Sequence, residues 1–324
     1  MEFDERRYRP LSTVDLFDEA FDLYKRNFVL FLLIVSFVVV PSTVLTDVFT
    51  LKWLNDMGNQ LGGLQSSNVD TETMVNSLGE ALKQSAIGIA FYIPPWALVF
   101  SALTAAISAR YLEKPITLWQ SYVVGFRRYL SSLIATIVFM AALFSGSIFV
   151  LLAVFYPDLA SALLWIGIPV GVIVCLIVSA RYSLYLGATV TEKLGPFKAL
   201  ARSAALTKTD TGRVIWAVIC LNLIVVAIFL ILEEVLEIFT GLLTIPALVQ
   251  NKIVAADVGS GLAILILTPF MVVVMNLLYF DQRVRKEGFD MEILAERLGY
   301  RPIAIPSQAT YTPVLTKQLK KGKK

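Results

Sequence analysis

A chain of 324 residues with 57% apolar residues, 16% charged residues and a mean hydropathy of +0.71 is far more apolar than a soluble protein of that length. Its net charge of +3 gives no sign of a nucleic-acid partner, and the complete absence of histidine excludes Ser-His-Asp and Cys-His catalysis. Cys175 and Cys220 sit inside apolar runs without CxxC spacing and read as small hydrophobes.

The first stretch, MEFDERRYRPLSTVDLFDEAFDLYKRN, carries charges of both signs and runs into a long apolar segment without a small-residue cleavage site, so it does not read as a signal peptide. Within it, Leu16, Phe17, Ala20, Phe21 and Tyr24 share one helical stripe, and Asp15, Asp18, Glu19 and Asp22 lie elsewhere. Ser12 or Thr13 can cap this helix, with Asp15 in its first turn. An amphipathic helix of this kind can pack on a helix bundle, lie in the cytoplasmic membrane interface, or do both with opposite edges.

Crossing a bilayer core takes about 20 mostly apolar residues. That length predicts six spans, at about 28–49, 86–109, 131–155, 160–185, 214–233 and 260–280. The third and fourth are separated only by Tyr156-Pro157-Asp158, which predicts a tight helical hairpin. The loop of about 50–84 is polar and too small for a folded domain. The half-apolar segment 236–249, with Pro246, reads as an interfacial helix rather than a seventh span. Residues 1–304 form a single membrane domain, and 305–324, ending QLKKGKK, a flexible basic tail with weak attraction to anionic lipid.

Basic residues set the orientation. With the N terminus inside, only Lys52, Lys83 and Lys252 of the 28 basic residues fall outside, so both termini are expected in the cytoplasm.

The chain also repeats itself. Arg9–Phe28 aligns without a gap on Lys114–Leu133, pairing Ala20-Phe21 with Gly125-Phe126 and Tyr24 with Tyr129, and Leu194–Val214 is a looser third copy. Each copy precedes an odd-numbered span. The expected fold is therefore all-α: three hairpins of spans, each introduced by a cytoplasmic amphipathic helix. The tetrapeptide SARY closes two even-numbered spans, at Arg110 and Arg181, and Arg283 in LLYFDQRVR holds the matching place after the sixth. The apolar stretch after the second SARY is expected to prolong the fourth helix.

The stretch YFDQRVRKEGFDMEILAERL, following a span with LTPF, resembles the C-terminal signature of the family named for the glycerophosphoryl diester phosphodiesterase membrane domain. RPLSTVDLFDEAFDLYKRNF and TEKLGPFKALARSAALTKTDTGRV are similar to that family's N-terminal and central cytoplasmic segments. The resemblance covers most of the chain. It implies a polytopic protein of a bacterial or archaeal inner membrane, not phosphodiester hydrolysis, which belongs to a separate metal-dependent barrel using histidines and carboxylates.

Neither a P-loop nor a GxGxxG turn occurs. No cofactor or metal is implied, and no enzyme is expected. The best candidate site is a set of cytoplasmic arginines expected at one membrane level: Arg110, Arg127, Arg128, Arg181, Arg202, Arg283 and Arg285. Guanidinium forks suit phosphate, so an anionic phospholipid is the expected partner. Fixing topology is the plainer role of the same residues. A membrane-protein partner or a second copy is a further expectation. Glu233, Glu234 and Glu237 at the outer end of the fifth span are weaker candidates for a cation or proton, a polar helix end being the plainer reading. Asn222 and Asn276 suit interhelical hydrogen bonds. Pro41, Pro94-Pro95, Pro169 and Pro269 would kink their spans, the feature on which an alternative transporter or channel reading rests. The leading expectation is a non-enzymatic membrane protein that binds or organises anionic lipid, or a partner, at the cytoplasmic face.

Overall fold

A computed structural model of the chain describes residues 10–42, 92–148, 160–242 and 252–297. Among these residues there are helices and no strands. In chain order the helices are α1 (Thr13–Arg26), α2 (Phe28–Ser42), α3 (Tyr92–Tyr111), α4 (Leu118–Phe144) and α5 (Ala160–Tyr182). Then come α6 (Tyr185–Val190), α7 (Pro196–Thr207), α8 (Thr211–Leu242), α9 (Lys252–Glu287) and α10 (Phe289–Arg297). Five helices are long and apolar enough to cross a membrane, or six if the bent pair α1–α2 counts as one. The loop 50–84, the tail 305–324 and the predicted span ends at 43–49, 86–91 and 149–155 lie outside the described residues.

Local chemistry starts α1. Ser12 Oγ accepts the Asp15 N–H at 3.1 Å, and the Asp15 carboxylate accepts the Ser12 N–H at 3.2 Å, a reciprocal capping box. Asn27 ends it, its N–H donating to Tyr24 O and its Nδ2 to Leu23 O, and α2 departs at 76°. The helix packs lengthwise along α9. At one end the Leu11 N–H donates to Asp281 (2.9 Å); at the other the Tyr24 hydroxyl donates to Ile266 O (2.9 Å), with its ring edge-on to Phe270. One edge of this helix thus packs on the bundle, the first of the two settings expected for it. Its buried stripe is shifted from the sequence pattern: Leu16, Ala20, Leu23 and Tyr24 are buried, whereas Phe17 is half-buried and Phe21 exposed.

α3 and α9 form the centre of the bundle, and α4, α5 and α8 surround them. Thr104 meets Asn276 (3.4 Å) and the Tyr111 ring stacks on Phe280 at 4.9 Å, so α3 and α9 run in the same direction. Two glycines permit close crossings onto this centre. A Cβ on Gly125 of α4 would fall 2.7 Å from the Ala102 nitrogen of α3, and one on Gly187 of α6 would fall 2.5 Å from Tyr279 Cγ of α9.

The three expected units are not built alike. In the second, the amphipathic segment and the span are one unbroken helix, α4, started by a Thr117–Gln120 capping box. In the third, α7 is a separate helix ahead of α8. The fourth span is not simply prolonged: it breaks at Ser183–Leu184 before α6. Ser203 of α7 holds that break, donating to Arg181 O (2.8 Å) and accepting the Leu184 N–H (3.2 Å). α8 continues as helix to Leu242, over the start of the segment expected to be interfacial, and α9 overruns the predicted 260–280 at both ends.

Candidate functional site

The arginines named above lie at the end of the bundle where α3, α5 and α9 finish and α8 begins, called here the basic end. Four of those arginines were expected to serve phosphate recognition and are engaged within the protein instead. Arg202 on α7 donates through Nε to both oxygens of Glu192 (3.0 and 2.9 Å) and through Nη2 to Glu287 of α9 (2.7 Å). Burial by itself would lower the Arg202 pKa, but the charges and hydrogen bonds of Glu192 and Glu287 outweigh it and hold the pKa above its usual value. Arg283 lies 3.3 Å from Glu287 and 3.4 Å from Glu292, with its guanidinium carbon 3.9 Å over the Phe289 ring. Tyr279 completes this group by donating to Glu192 (2.6 Å) while accepting from Thr191 (3.0 Å).

A second cluster surrounds Asp281, whose side chain is 0% exposed. It accepts the Leu11 N–H and the Arg285 Nε–H (3.0 Å), and Arg213 Nη1 of α8 approaches it at 2.9 Å. That last contact is an ion pair without hydrogen-bond alignment, because Nη1 points no N–H at an acceptor. Both guanidiniums also donate to Leu11 O. One buried carboxylate thereby ties the entry of α1 to α8 and α9. Arg110 turns onto its own loop, donating to Ile116 O (3.2 Å) with its Nε buried and unpaired.

Arg127, Arg128 and Arg181 differ from the other four. Arg128 donates to the Lys193 carbonyl (3.2 Å). Arg127 is exposed and Arg181 half-buried, and no carboxylate pairs with any of the three among the described residues. Exposed aromatic side chains occur on the same elements or beside them: Trp119 and Phe126 on α4, Phe197 on α7 and Trp216 on α8. The seven arginines therefore do not form one site.

Glu233 and Glu234 lie on α8 toward the end remote from these clusters; the Glu237 side chain is outside the described set. No group of three or more His, Cys, Asp or Glu able to hold a metal ion occurs among the described residues. Asn222 is exposed and donates to Val218 O of its own helix (2.8 Å), with no interhelical bond among the described residues; Asn276 does make one, with Thr104. The sequence reading missed Glu192, Glu287, Asp281 and Arg213. The available signals were the four-residue spacings Asp281–Arg285 and Arg283–Glu287, which place opposite charges on one helix face.

No family model, no curated protein and no solved structure matches this chain.

Proposed function

We propose that this chain is a non-enzymatic, multi-pass membrane protein that binds the headgroups of anionic phospholipids through Arg127, Arg128 and Arg181. In this reading six spans cross the membrane as three hairpins, and the basic end, with both termini, lies in the cytoplasm. In this reading the membrane is the inner membrane of a bacterium or archaeon, as the resemblance noted above implies.

One observation carries the proposal: carboxylates occupy Arg202, Arg283 and Arg285, whereas Arg127, Arg128 and Arg181 have no carboxylate partner among the described residues. A guanidinium left without an internal counter-charge retains its donors for a phosphate. The exposed Phe126 beside Arg127 is of the kind that settles at the membrane–water boundary. Basic side chains between spans on the cytoplasmic side are suited to anionic headgroups.

The test is native mass spectrometry of the purified protein with phosphatidylglycerol and phosphatidylcholine in equal amounts. The protein should retain phosphatidylglycerol preferentially, and the triple variant Arg127→Gln, Arg128→Gln, Arg181→Gln should lose that preference while remaining folded. An unchanged preference in the triple variant would refute the site.

A further inference from the structure

α9 is 36 residues long and α8 is 32. At 1.5 Å per residue these are about 54 and 48 Å, against about 30 Å for a hydrocarbon core. Each helix must therefore leave the membrane by a wide margin at one end or both. Two independent observations say where.

The first is the charge on α1. This helix lies along α9 from Asp281 to Ile266, and its outward face carries exposed Asp18, Asp22, Lys25 and Arg26. Such side chains do not face acyl chains. The stretch of α9 beside them, roughly 267–287, is thus outside the hydrocarbon although much of it is apolar. Its apolar residues are covered by protein: Val273, Leu277, Tyr279 and Phe280 are buried.

The second is the exposure pattern on α8, which runs antiparallel to α9 from the Arg213–Asp281 contact. Its exposed apolar face begins at Leu223 and continues through Val226, Leu230, Val235 and Ile238. From Leu223 to the helix end at Leu242 is about 30 Å, one hydrocarbon thickness. Before it come the exposed Asn222 and Trp216, residue types suited to an interface. α5 agrees: its exposed apolar residues run from Trp165 to Ile177 and stop just before Arg181.

From these observations we infer that the bilayer girdles only the half of the bundle remote from the arginine clusters. The other half stands in water as a packed helical head, about 20–25 Å tall by the same rise per residue. The head comprises α1, α6, α7, α10 and the adjoining ends of α3, α8 and α9. The boundary passes near Asn222, near Pro269 of α9 and near the α1–α2 bend at Asn27. It leaves Arg181 at headgroup depth and sets Arg202, Arg283 and Asp281 well beyond it.

This inference rests on the membrane-spanning reading, and the test separates the two. In a Cys175→Ala, Cys220→Ala background, single cysteines are introduced by Asp18→Cys, Asp22→Cys and Ile228→Cys. Each protein is reconstituted in nanodiscs, which leave both faces open, and treated with a membrane-impermeant maleimide. The α1 cysteines should react within about twofold of their rate in detergent, and the Ile228→Cys thiol at least tenfold more slowly in nanodiscs. Asp18→Cys and Asp22→Cys thiols as protected as that of Ile228→Cys would overturn the head. A fast reaction at Ile228→Cys in nanodiscs would overturn the membrane reading itself.

Discussion

α8 and α9 are both apolar enough to cross a membrane, yet 61% of the best apolar window of α9 is buried inside the protein, against 22% for α8. α3 behaves like α9, and α4 and α5 like α8. The difference teaches that apolar side chains serve two purposes here. On α9 around Leu277 they meet other helices and contribute packing within one folded state. On α8 around Leu230 they meet whatever surrounds the bundle, and their identity matters less than their being apolar. The polar groups divide in the same way. Buried Asp281 and half-buried Glu192 and Arg202 have defined partners, whereas Arg127 and Arg181 have no carboxylate partner among the described residues.

That contrast breaks most readily at the centre. Leu277→Ala removes a side chain that is 1% exposed and should cost about 4 kcal/mol, as for other buried leucines. Loss of the cooperative thermal transition in detergent would report it. Asp281→Asn keeps the shape but strips the counter-charge from Arg213 and Arg285, and about 3 kcal/mol should be lost, the low end for a buried pair because both arginines are partly wet. The same variant should speed proteolysis near Leu11, since the entry of α1 is held by that carboxylate. Gly187→Ala drives a methyl into the Tyr279 ring and should cost about 2 kcal/mol by overpacking, read as a lower melting temperature. At the bottom of the scale, Leu230→Ala on the outer face of α8 should change stability by less than about 0.5 kcal/mol in the same assay. A large effect there would mean that another polypeptide, and not lipid, covers that face.

Much of the architecture was legible because it depends on local rules. The cap at Ser12, with Asp15 in the first turn, and the long apolar runs were read along the chain. The break at Ser183–Leu184 could not be read, because it is held by Ser203, contributed from another helix. The fate of α1 was equally hidden. Its amphipathic pattern suits a membrane surface or a helix bundle, and only the contacts from Leu11 to Asp281 and from Tyr24 to Ile266 show that one edge packs on α9. The arginines show the same limit. Sequence placed all seven near one end, but charge and spacing do not reveal that Glu192 and Glu287 arrive from separate segments to occupy Arg202.

Sequence alone determined that this protein is helical and rich in segments able to cross a membrane, because hydropathy and helical period are properties of neighbouring residues. Tertiary structure decided which apolar segments face one another, which arginines keep free donors and where α1 is docked. Those outcomes depend on partners far apart in the chain, such as Leu11 and Asp281, whose meeting no local pattern encodes.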